Sequence, residues 1–388
     1  MFGADVISRI SAAQKNSENA VQLVTVLREA VRDMIIILLG QTDRQTKELL
    51  KVMLAGNSVI THFFLKLETV QLGRIPFSTI IHEAQIIKLA DGGIPELQVF
   101  ANAVLTTIPL ISGFLGGDAV AAGIAAGLHC SNSDGGTILY DFGTNCEILL
   151  EVKGAIYGAS AAAGPAFEGY NISSGMRYAV GAVSKVTEDH GTISFDVIGG
   201  GCAKGFCGSA LLDLLAIMIS AGHVDRKGNL KCNIEYQGEN NHYKYYAAAD
   251  AEGAGRKILF TDKQNQQTLT LTLQDIRNLQ LAKGAISAAV AILLKVAGIT
   301  ESELGTVKIA GVFGNGLQTG AAKALGVLAG TAETQVGFVK DAALLGVSMC
   351  MLHEDIFDEA KLFARRVNSI DLIEDTDFLA TYLRCLQF

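Results

Sequence analysis

The sequence has no tryptophan and only 4 prolines in 388 residues, whereas it has 42 glycines. This balance favours many tight turns and close backbone approaches over long proline-rich linkers. Basic residues are also scarce, since 31 lysines and arginines face 39 aspartates and glutamates. The resulting net charge of −8 argues against nucleic acid and against a polybasic membrane patch. We therefore expect a cytoplasmic protein that handles small anions at a local site.

The 7 cysteines form no C-x-x-C pair. Their odd number and scattered positions indicate reduced thiols, and they argue against a zinc site or an iron–sulfur cluster held by this chain. The first residues lack the pattern of a secretory leader, so we do not expect a secreted protein. The uncharged run at 97–117 has membrane length but carries several polar residues and glycines, so we do not expect it to span a membrane.

The length allows two or three lobes. Apolar periodicity predicts helices over 18–39, 44–52 and 211–221, and a carboxyl-terminal strand over 369–373. Residues 52–58 and 307–316 each predict a buried strand followed by a glycine turn and a helix. Because such turns gather at the carboxyl edge of a sheet, they indicate a ligand-binding edge.

Residues 135–152 predict two strands joined by an abrupt polar turn. At the turn stand Asp141, Gly143, Thr144 and Asn145. A carboxylate at a strand end, a glycine that lets backbone N–H groups face an anion, and an adjacent hydroxyl suit a phosphate-holding hairpin. An ordinary hairpin turn also uses glycine and asparagine, so the motif alone leaves both interpretations open.

A helix of small residues starts near Asp118, which lies 23 residues before Asp141. If both carboxylates reach one cleft, they can hold a Mg²⁺ ion through water and orient an attacking water. Capping of the helix and of the turn is the alternative role for each.

Two further glycine-rich segments have features of nucleotide sites. Residues 199–213, which include Ser209, run into the apolar helix predicted at 211–221. Such a loop suits an anion, although the Walker motif is absent. Lys204 in this loop either touches a phosphate or is a solvated lysine. The turn with Gly311, Gly314 and Asn315 can lie flat against a purine, where a side chain would collide.

The order of these segments resembles the acetate kinase, sugar kinase, Hsp70 and actin superfamily. The resemblance implies an α/β, actin-like (ribonuclease H-like) two-lobed ATPase fold with an incomplete amino-terminal lobe. It divides the chain into a partial first lobe (1–115), a second lobe with the phosphate and adenosine loops (116–330) and a carboxyl-terminal α/β segment that packs back on the lobes (331–388). On this resemblance Asp118 takes the acidic position at the first connecting helix of the superfamily, and the turn at Asp141 corresponds to its second phosphate loop.

A closer resemblance covers nearly the whole chain and points to the reductive activators of corrinoid proteins. The matching motifs are Gly3–Ile10, Gly56–Asn57 with His62, Gly143–Asn145 with Glu147, Ala162–Gly169, Ser174–Arg177, Cys207–Ser209 and Asp275–Lys283. On this resemblance Gly208, Ser209 and Lys283 join the expected nucleotide contacts.

That family implies ATP and Mg²⁺ as ligands and a corrinoid protein of an anaerobic methyltransferase or O-demethylase system as the partner. ATP hydrolysis would be coupled to reduction of Co(II) corrinoid to Co(I), with the electron supplied by a [2Fe–2S] domain. A homodimer is possible.

The sequence departs from the family pattern in several places. The iron–sulfur domain and a first D-x-G-T hairpin before Gly3 are missing, so we expect a carboxyl-terminal fragment or a natural short relative. Cys146 stands where the family usually has glycine, and we expect it to be a buried, inert thiol. Val312 interrupts the Gly-Gly pair that the family usually has in the adenosine loop. A nucleotide-sensing module without catalysis and a small-molecule kinase remain as alternatives.

Overall fold

The computed structural model describes residues 6–131, 135–189, 192–231, 234–236, 243–248, 256–262, 268–311, 313 and 316–388. The chain divides into two compact units. The first unit comprises Met1–Asn132, Lys153–Ala159 and Asp341–Ser369. The second unit comprises Ser133–Val152, Ser160–Lys340 and Ile370–Phe388.

Helices and strands are numbered along the chain. The described helices are α1 (Val6–Lys15), α2 (Ser17–Gln41), α3 (Ser58–Leu65), α4 (Gly117–Ala125), α5 (Gly208–Ser220), α6 (Leu273–Ala297), α7 (Thr319–Ala324), α8 (Ala342–Leu352), α9 (Glu354–Arg366) and α10 (Phe378–Cys385). The described strands are β1 (Lys51–Leu54), β2 (Ile86–Lys88), β3 (Val104–Thr107), β4 (Gly136–Phe142), β5 (Cys146–Val152), β6 (Ala155–Ala161), β7 (Ala182–Asp189), β8 (Thr192–Val197), β9 (Gly205–Phe206), β10 (Ile234–Tyr236), β11 (Tyr243–Ala248), β12 (Lys257–Asp262), β13 (Thr268–Thr272), β14 (Leu304–Gly311), β15 (Gln335–Phe338) and β16 (Val367–Ser369).

The first unit contains a small sheet in which β3 pairs in parallel with β1 and antiparallel with β2. Apolar side chains around this sheet, including Phe64, Phe100 and Leu105, form a fully buried core under α2. Arg28 of α2 is 4% exposed, and it donates to the Phe64 carbonyl at 2.8 Å and to Glu96 at 3.2 Å. A buried guanidinium needs both partners, because an unpaired charge there would be strongly destabilising.

Helices α4 and α8 cross at very short range within the first unit. At Gly346 of α8, an added Cβ would lie 1.9 Å from the carbonyl oxygen of Ala121 in α4. The small residues of the predicted helix at 118–127 therefore serve a close helix contact, as small side chains allow. In the same unit β16 pairs in parallel with β6.

In the second unit, four strands lie in the order β15, β14, β4 and β5. Strand β14 is parallel to both β15 and β4, whereas β4 and β5 form an antiparallel hairpin. Helix α6 begins with a capping box in which Thr272 and Asp275 bond each other's backbone N–H groups, and it ends at Gly298 in the left-handed conformation. A reciprocal capping box and a left-handed glycine are common helix boundaries.

Two further sheets complete the second unit. Strand β7 pairs with β8 and β9, and α5 packs on it. Strands β10 to β13 form an antiparallel sheet.

Most predicted elements are confirmed, including the helix at 18–39 and both strands of the hairpin at 135–152. Two predictions are wrong. Residues 44–52 form a short 3₁₀ turn (Thr46–Glu48) and strand β1 instead of a helix. The strand expected at 369–373 is β16, which already ends at Ser369. At 51–54 a short apolar run fits either period, and pairing with β3 makes it a strand. Strand β16 pairs with β6 only through Val367–Ser369, so it does not extend to residue 373.

The predicted domain boundaries at 115 and 330 remain predictions. Contacts group α4, α8 and α9 with the first unit and the last residues, 370–388, with the second unit.

Among the described helices, α6 alone is long and apolar enough to cross a membrane. Within its most apolar window, 72% of the residues are buried inside the protein. It is therefore accounted for as a core helix of the second unit.

We predict that Gly346→Ala lowers the free energy of unfolding by about 1–3 kcal/mol, because the added methyl group collides with the α4 backbone. Urea unfolding followed by circular dichroism measures the change. Gly40→Ala is the matched control, since Gly40 also lies in a helix and an added Cβ meets nothing within 4 Å. A Gly346→Ala protein as stable as the control would contradict the close crossing.

Candidate functional site

The carboxyl ends of β4 and β14 meet in the second unit. In the parallel register, Ala310 faces Asp141 and Gly311 faces Phe142. Gly311 has a φ of +79°, and a Cβ there would lie 2.0 Å from the Phe142 carbonyl oxygen. Only glycine fits this position. The two segments that the sequence predicted separately, the phosphate hairpin and the adenosine turn, are thus adjacent.

The hairpin turn at 143–145 is shaped by its own backbone. The Gly143 N–H donates to the Asn145 carbonyl at 2.9 Å, and Asp141 faces Glu147 across the β4–β5 ladder. The Thr144 side chain is exposed, and its Oγ1 donates to Glu168 Oε1 at 2.8 Å. The turn is therefore linked to the loop that follows β6.

A cavity of about 450 Å³ lies beside this junction. Its lining comes from the loop after β6, the start of α5 and the turn after β14. The lining residues are Phe167, Glu168, Met176, Arg177, Tyr178, Cys207, Gly208, Ser209, Gly311, Phe313 and Gly316. The volume is in the range of small-molecule sites, and the mixture of aromatic, charged and backbone groups is typical of them.

Aromatic rings form the apolar side of the cavity. Phe313 is 3% exposed and packs edge-on against Phe142 at 4.9 Å and Phe167 at 5.6 Å between ring centroids. Phe142 in turn stacks on Tyr140 at 5.6 Å, and the Tyr140 hydroxyl accepts the Ala329 N–H at 3.0 Å. These contacts fix the position of Phe313 at the start of the adenosine turn.

The start of α5 supplies the polar side. Cys207 is the N-cap residue, and its side chain makes no capping bond. At Gly208 a Cβ would lie 1.9 Å from the Phe167 carbonyl oxygen. Ser209 Oγ donates to the Ser184 carbonyl at 2.6 Å. The first turn of a 13-residue helix therefore borders the cavity, where its partial positive charge favours an anionic ligand.

The sequence analysis gave no individual role to Glu168, Arg177 and Tyr178, although Glu168 and Arg177 belong to motifs that resemble the corrinoid activators. The loop folds back on itself, since a Cβ at Gly175 would lie 2.1 Å from the Gly169 carbonyl oxygen. The Arg177 guanidinium lies 5.0 Å from the centre of the Tyr170 ring. The signal for these residues was the unusual density of glycine in a segment too irregular for a strand.

Two predicted nucleotide contacts lie elsewhere in the second unit. Lys204 is exposed and does not line the cavity, and its aliphatic chain packs on Gly181. Lys283 is 5% exposed, and its Nζ donates to the carbonyls of Cys385 at 2.8 Å and Gln387 at 2.7 Å. Burial lowers the pKa of Lys283. Its ammonium group holds the carboxyl-terminal segment, so the structure does not bring Lys283 to the cavity as the expected nucleotide contact.

Gly314 and Asn315 lie outside the described residues, as does Val312. Cys146 is fully buried, and burial raises the pKa of its thiol well above the usual value, with Glu147 and Asp141 adding to the shift. The expectation that the thiol is buried is confirmed, and a raised thiol pKa favours the inert role that stays a prediction.

Asp118 belongs to the first unit, at the start of α4. The Gly117 N–H donates to the Gly56 carbonyl at 2.9 Å, and a Cβ at Gly116 would lie 2.5 Å from the Asn57 Cα. The turn between β1 and α3 is thus pressed against the start of α4. Burial raises the pKa of the Asp118 carboxyl, opposed by the Ala119 N–H that it accepts at 2.9 Å. Its predicted catalytic and Mg²⁺-binding roles stay predictions.

The part of the chain that the structure describes contains no group of three or more His, Cys, Asp or Glu side chains suited to a metal ion. A dedicated protein cage for Mg²⁺ is therefore not built from these residues. Mg²⁺ held mainly by phosphate oxygens and water, with one carboxylate nearby, needs no such cage.

Comparison with known proteins identifies the family. Residues 136–388 match the family model described as the C-terminal domain of RACo, the ASKHA domain, and residues 1–131 match the RACo middle region. The chain is 30% identical over 398 residues to the corrinoid activation enzyme RamQ of Eubacterium limosum, a match that covers 100% of this chain and 64% of RamQ.

Two other proteins give the same picture. The Co(II) methylated amine-specific corrinoid protein reductase of Methanosarcina barkeri is 22% identical over 404 residues, which cover 96% of this chain and 68% of the reductase. A solved structure of a reductive activator for a corrinoid, iron–sulfur protein superposes with a TM-score of 0.82 at 28% identity. The match covers 100% of this chain and 60% of the activator chain.

The chain thus spans about two thirds of the length of RamQ and less of the solved activator. The expectation of an actin-like α/β fold is confirmed by the match to the ASKHA domain. Since the two family models together cover nearly all of the sequence, the chain belongs to the RACo family, as its middle region followed by its carboxyl-terminal ASKHA domain.

Proposed function

We propose that this chain binds and hydrolyses ATP and couples the hydrolysis to reduction of an inactive Co(II) corrinoid protein to Co(I). The relatives named for corrinoid activation and for reduction of a corrinoid protein support this assignment. In such a one-electron step, about every 59 mV of unfavourable potential is a tenfold equilibrium penalty. ATP binding and hydrolysis would supply the free energy that overcomes it.

The observation that carries the proposal is the cavity beside the β4–β14 junction. It combines the uncapped start of α5 and an aromatic wall within one unit. The hairpin at 141–145 does not line the cavity, but its Thr144 is bonded to the lining residue Glu168. We assign the base and ribose to the side with Phe313 and Gly311, where the absent side chain leaves room for a flat ring. We assign the phosphates to the side with Gly208, Ser209 and the turn at Gly143 and Thr144.

Asp141 is the proposed carboxylate for the metal–phosphate end of the site. It stands at the end of β4, immediately before the turn whose Thr144 is bonded to the cavity residue Glu168. An outer-sphere role suits it, in which Asp141 accepts hydrogen bonds from waters of the Mg²⁺ ion that neutralises the phosphates. Asn145 completes the turn through its backbone carbonyl.

The electron carrier is proposed to lie outside the residues described here. The cysteines that the structure describes are all free thiols, and no three metal-ligating side chains come together among the described residues. A [2Fe–2S] cluster needs four such ligands. The proposed partner is a corrinoid protein of a methyltransferase or O-demethylase system, and pairing of subunits remains a prediction.

A phosphate-release assay with and without Co(II) corrinoid protein tests the function. Under our proposal, this protein releases phosphate from Mg·ATP, and the corrinoid protein accelerates the release. Binding of ATP without release would favour the nucleotide-sensing module. Formation of ADP and a phosphorylated small acceptor, without release of inorganic phosphate, would favour the kinase.

We predict that Asp141→Asn weakens Mg·ATP binding by at least about tenfold, because it removes the charged acceptor for the magnesium waters. Isothermal titration calorimetry with and without Mg²⁺ measures the effect, and the loss should vanish in the absence of Mg²⁺. Asp196→Asn is the control, since Asp196 is an exposed carboxylate of the same unit that lies on β8 and not at the end of β4. Equal affinities for Asp141→Asn and the control would remove Asp141 from the site.

We also predict that Arg177→Gln weakens ATP binding by about tenfold, because Arg177 is the only guanidinium among the described lining residues. Lys204→Gln and Lys283→Met should leave ATP affinity within about twofold, since neither side chain lines the cavity. Competition with a fluorescent ATP analogue gives all three dissociation constants. The opposite ranking, with Lys204 or Lys283 critical and Arg177 dispensable, would show that phosphates bind elsewhere.

A further inference from the structure

A second cavity of about 540 Å³ lies in the second unit and shares no lining residue with the first. It is bounded by the end of β7, by the second half of α5 and by α7 with its preceding residue. The lining residues are Val186, Thr187, Glu188, Asp213, Ala216, Ile217, Ser220, Ala221, Gln318, Gly320, Ala321 and Ala324. Neither the family resemblance nor the proposed function uses this cavity.

Asp213 is the unusual residue of this wall. It is 2% exposed, and its two carboxylate oxygens have very different surroundings. Oδ2 accepts the Val186 N–H at 3.1 Å and the Gln318 amide at 2.9 Å. Oδ1 is buried and has no hydrogen-bond partner among the described residues.

The neighbouring donors cannot turn to Oδ1 without leaving their present bonds. The Gln318 amide nitrogen donates to Asp213 and also to the Val186 carbonyl at 3.1 Å, so both of its hydrogens are engaged. A buried carboxylate oxygen without a donor is costly, and in native proteins such an atom commonly marks a bound water or ion. Burial accordingly raises the pKa of Asp213 to about 6, against the opposing effects of the Val186 and Gln318 bonds and of Lys185.

The charges around the cavity favour a cation. A second carboxylate, Glu188, is exposed among the lining residues. Ser220 and Ala221 lie at the carboxyl end of α5, where the helix dipole presents partial negative charge. Of the nearby lysines, Lys185 is exposed on β7, and Lys323 of α7 donates to the carbonyls of Thr331 and Thr334.

The other lining residues indicate which class of cation fits the cavity. Alanines 216, 221, 321 and 324, together with Ile217, give an apolar surface next to the carboxylate. A bare divalent ion would need several oxygen or nitrogen ligands, and the described residues contain no such group. An alkylammonium ion fits both features, because its N–H donors suit Oδ1 and its carbon chain suits the alanines.

We propose that this cavity is a binding site for an alkylammonium group, which donates a hydrogen bond to Asp213 Oδ1. The group comes either from a small free amine or from a lysine side chain of a partner protein. Both share the same chemistry, and the test separates them. The proposal does not depend on the nucleotide assignment.

Saturation-transfer NMR with n-butylammonium chloride tests the site at constant ionic strength. We expect saturable binding at pH 7 that n-butanol, the neutral molecule of similar shape, does not reproduce. Asp213→Asn keeps an acceptor for Val186 and Gln318 but removes the charge, and it should weaken binding at least about tenfold. Glu188→Gln, the exposed matched control, should change affinity by less than about threefold.

A second variant tests the site independently in case Asp213→Asn does not fold. Ala216→Leu fills the cavity while Asp213 stays intact, and it should also abolish binding. Binding should weaken about tenfold between pH 7 and pH 5, since protonation near the raised pKa of Asp213 removes the anion. Equal binding of butylammonium and butanol, or affinity unchanged in both Asp213→Asn and Ala216→Leu, would overturn the proposal.

A parallel titration with N-acetyl-lysine methylamide identifies the source of the group. Tighter binding of this peptide-like probe than of butylammonium supports a lysine of a partner protein. Binding of butylammonium alone supports a free amine. Binding of neither probe contradicts the site.

Discussion

The close contact between Gly311 and the backbone of Phe142 is the constraint on which the candidate site depends. A side chain at residue 311 would overlap the Phe142 carbonyl, so β14 reaches the end of β4 only because it ends in glycine. This contact brings the turn after β14 against the polar turn after β4. It also places Phe313 on Phe142 and Phe167, which builds the apolar wall of the cavity.

A second close contact places the helix that faces this wall. Gly208 lies against the Phe167 carbonyl, so α5 begins directly at the cavity. Ser209 in the first turn of α5 and Asp213 in the second turn then form hydrogen bonds with the backbone of β7. The same helix thus contributes its positively polarised start to the proposed nucleotide site and its carboxyl end to the second cavity. The dipole of α5 therefore favours an anion at the proposed nucleotide site and a cation at the second cavity.

The sequence was sufficient for the parts that depend on local pattern. The strands at 136–142 and 304–311, the polar turn between β4 and β5 and the helix after Gly208 all have clear apolar runs ended by glycine. Their convergence was also predictable, because carboxyl ends of parallel strands share an edge. The resemblance to corrinoid activators supplied the family, which the comparisons confirm.

Contacts between distant parts of the chain could not be predicted from the sequence. Lys283 has the spacing of a family motif, yet its ammonium group is occupied by carbonyls about a hundred residues further along. Arg177 lies in a loop without periodicity, so no pattern directed it to the cavity. Asp213 sits on an apolar helix face, and only its bonds to Val186 and Gln318 reveal that one oxygen lacks a donor.

Photoaffinity labelling with 2-azido-ATP in the presence of Mg²⁺, followed by peptide mapping, tests the central claim most directly. The account predicts label on peptides from 167–178, 207–209 or 311–316, and protection of those peptides by unlabelled ATP. ATP-protected label confined to other peptides of the chain would contradict the placement of the nucleotide at the β4–β14 junction.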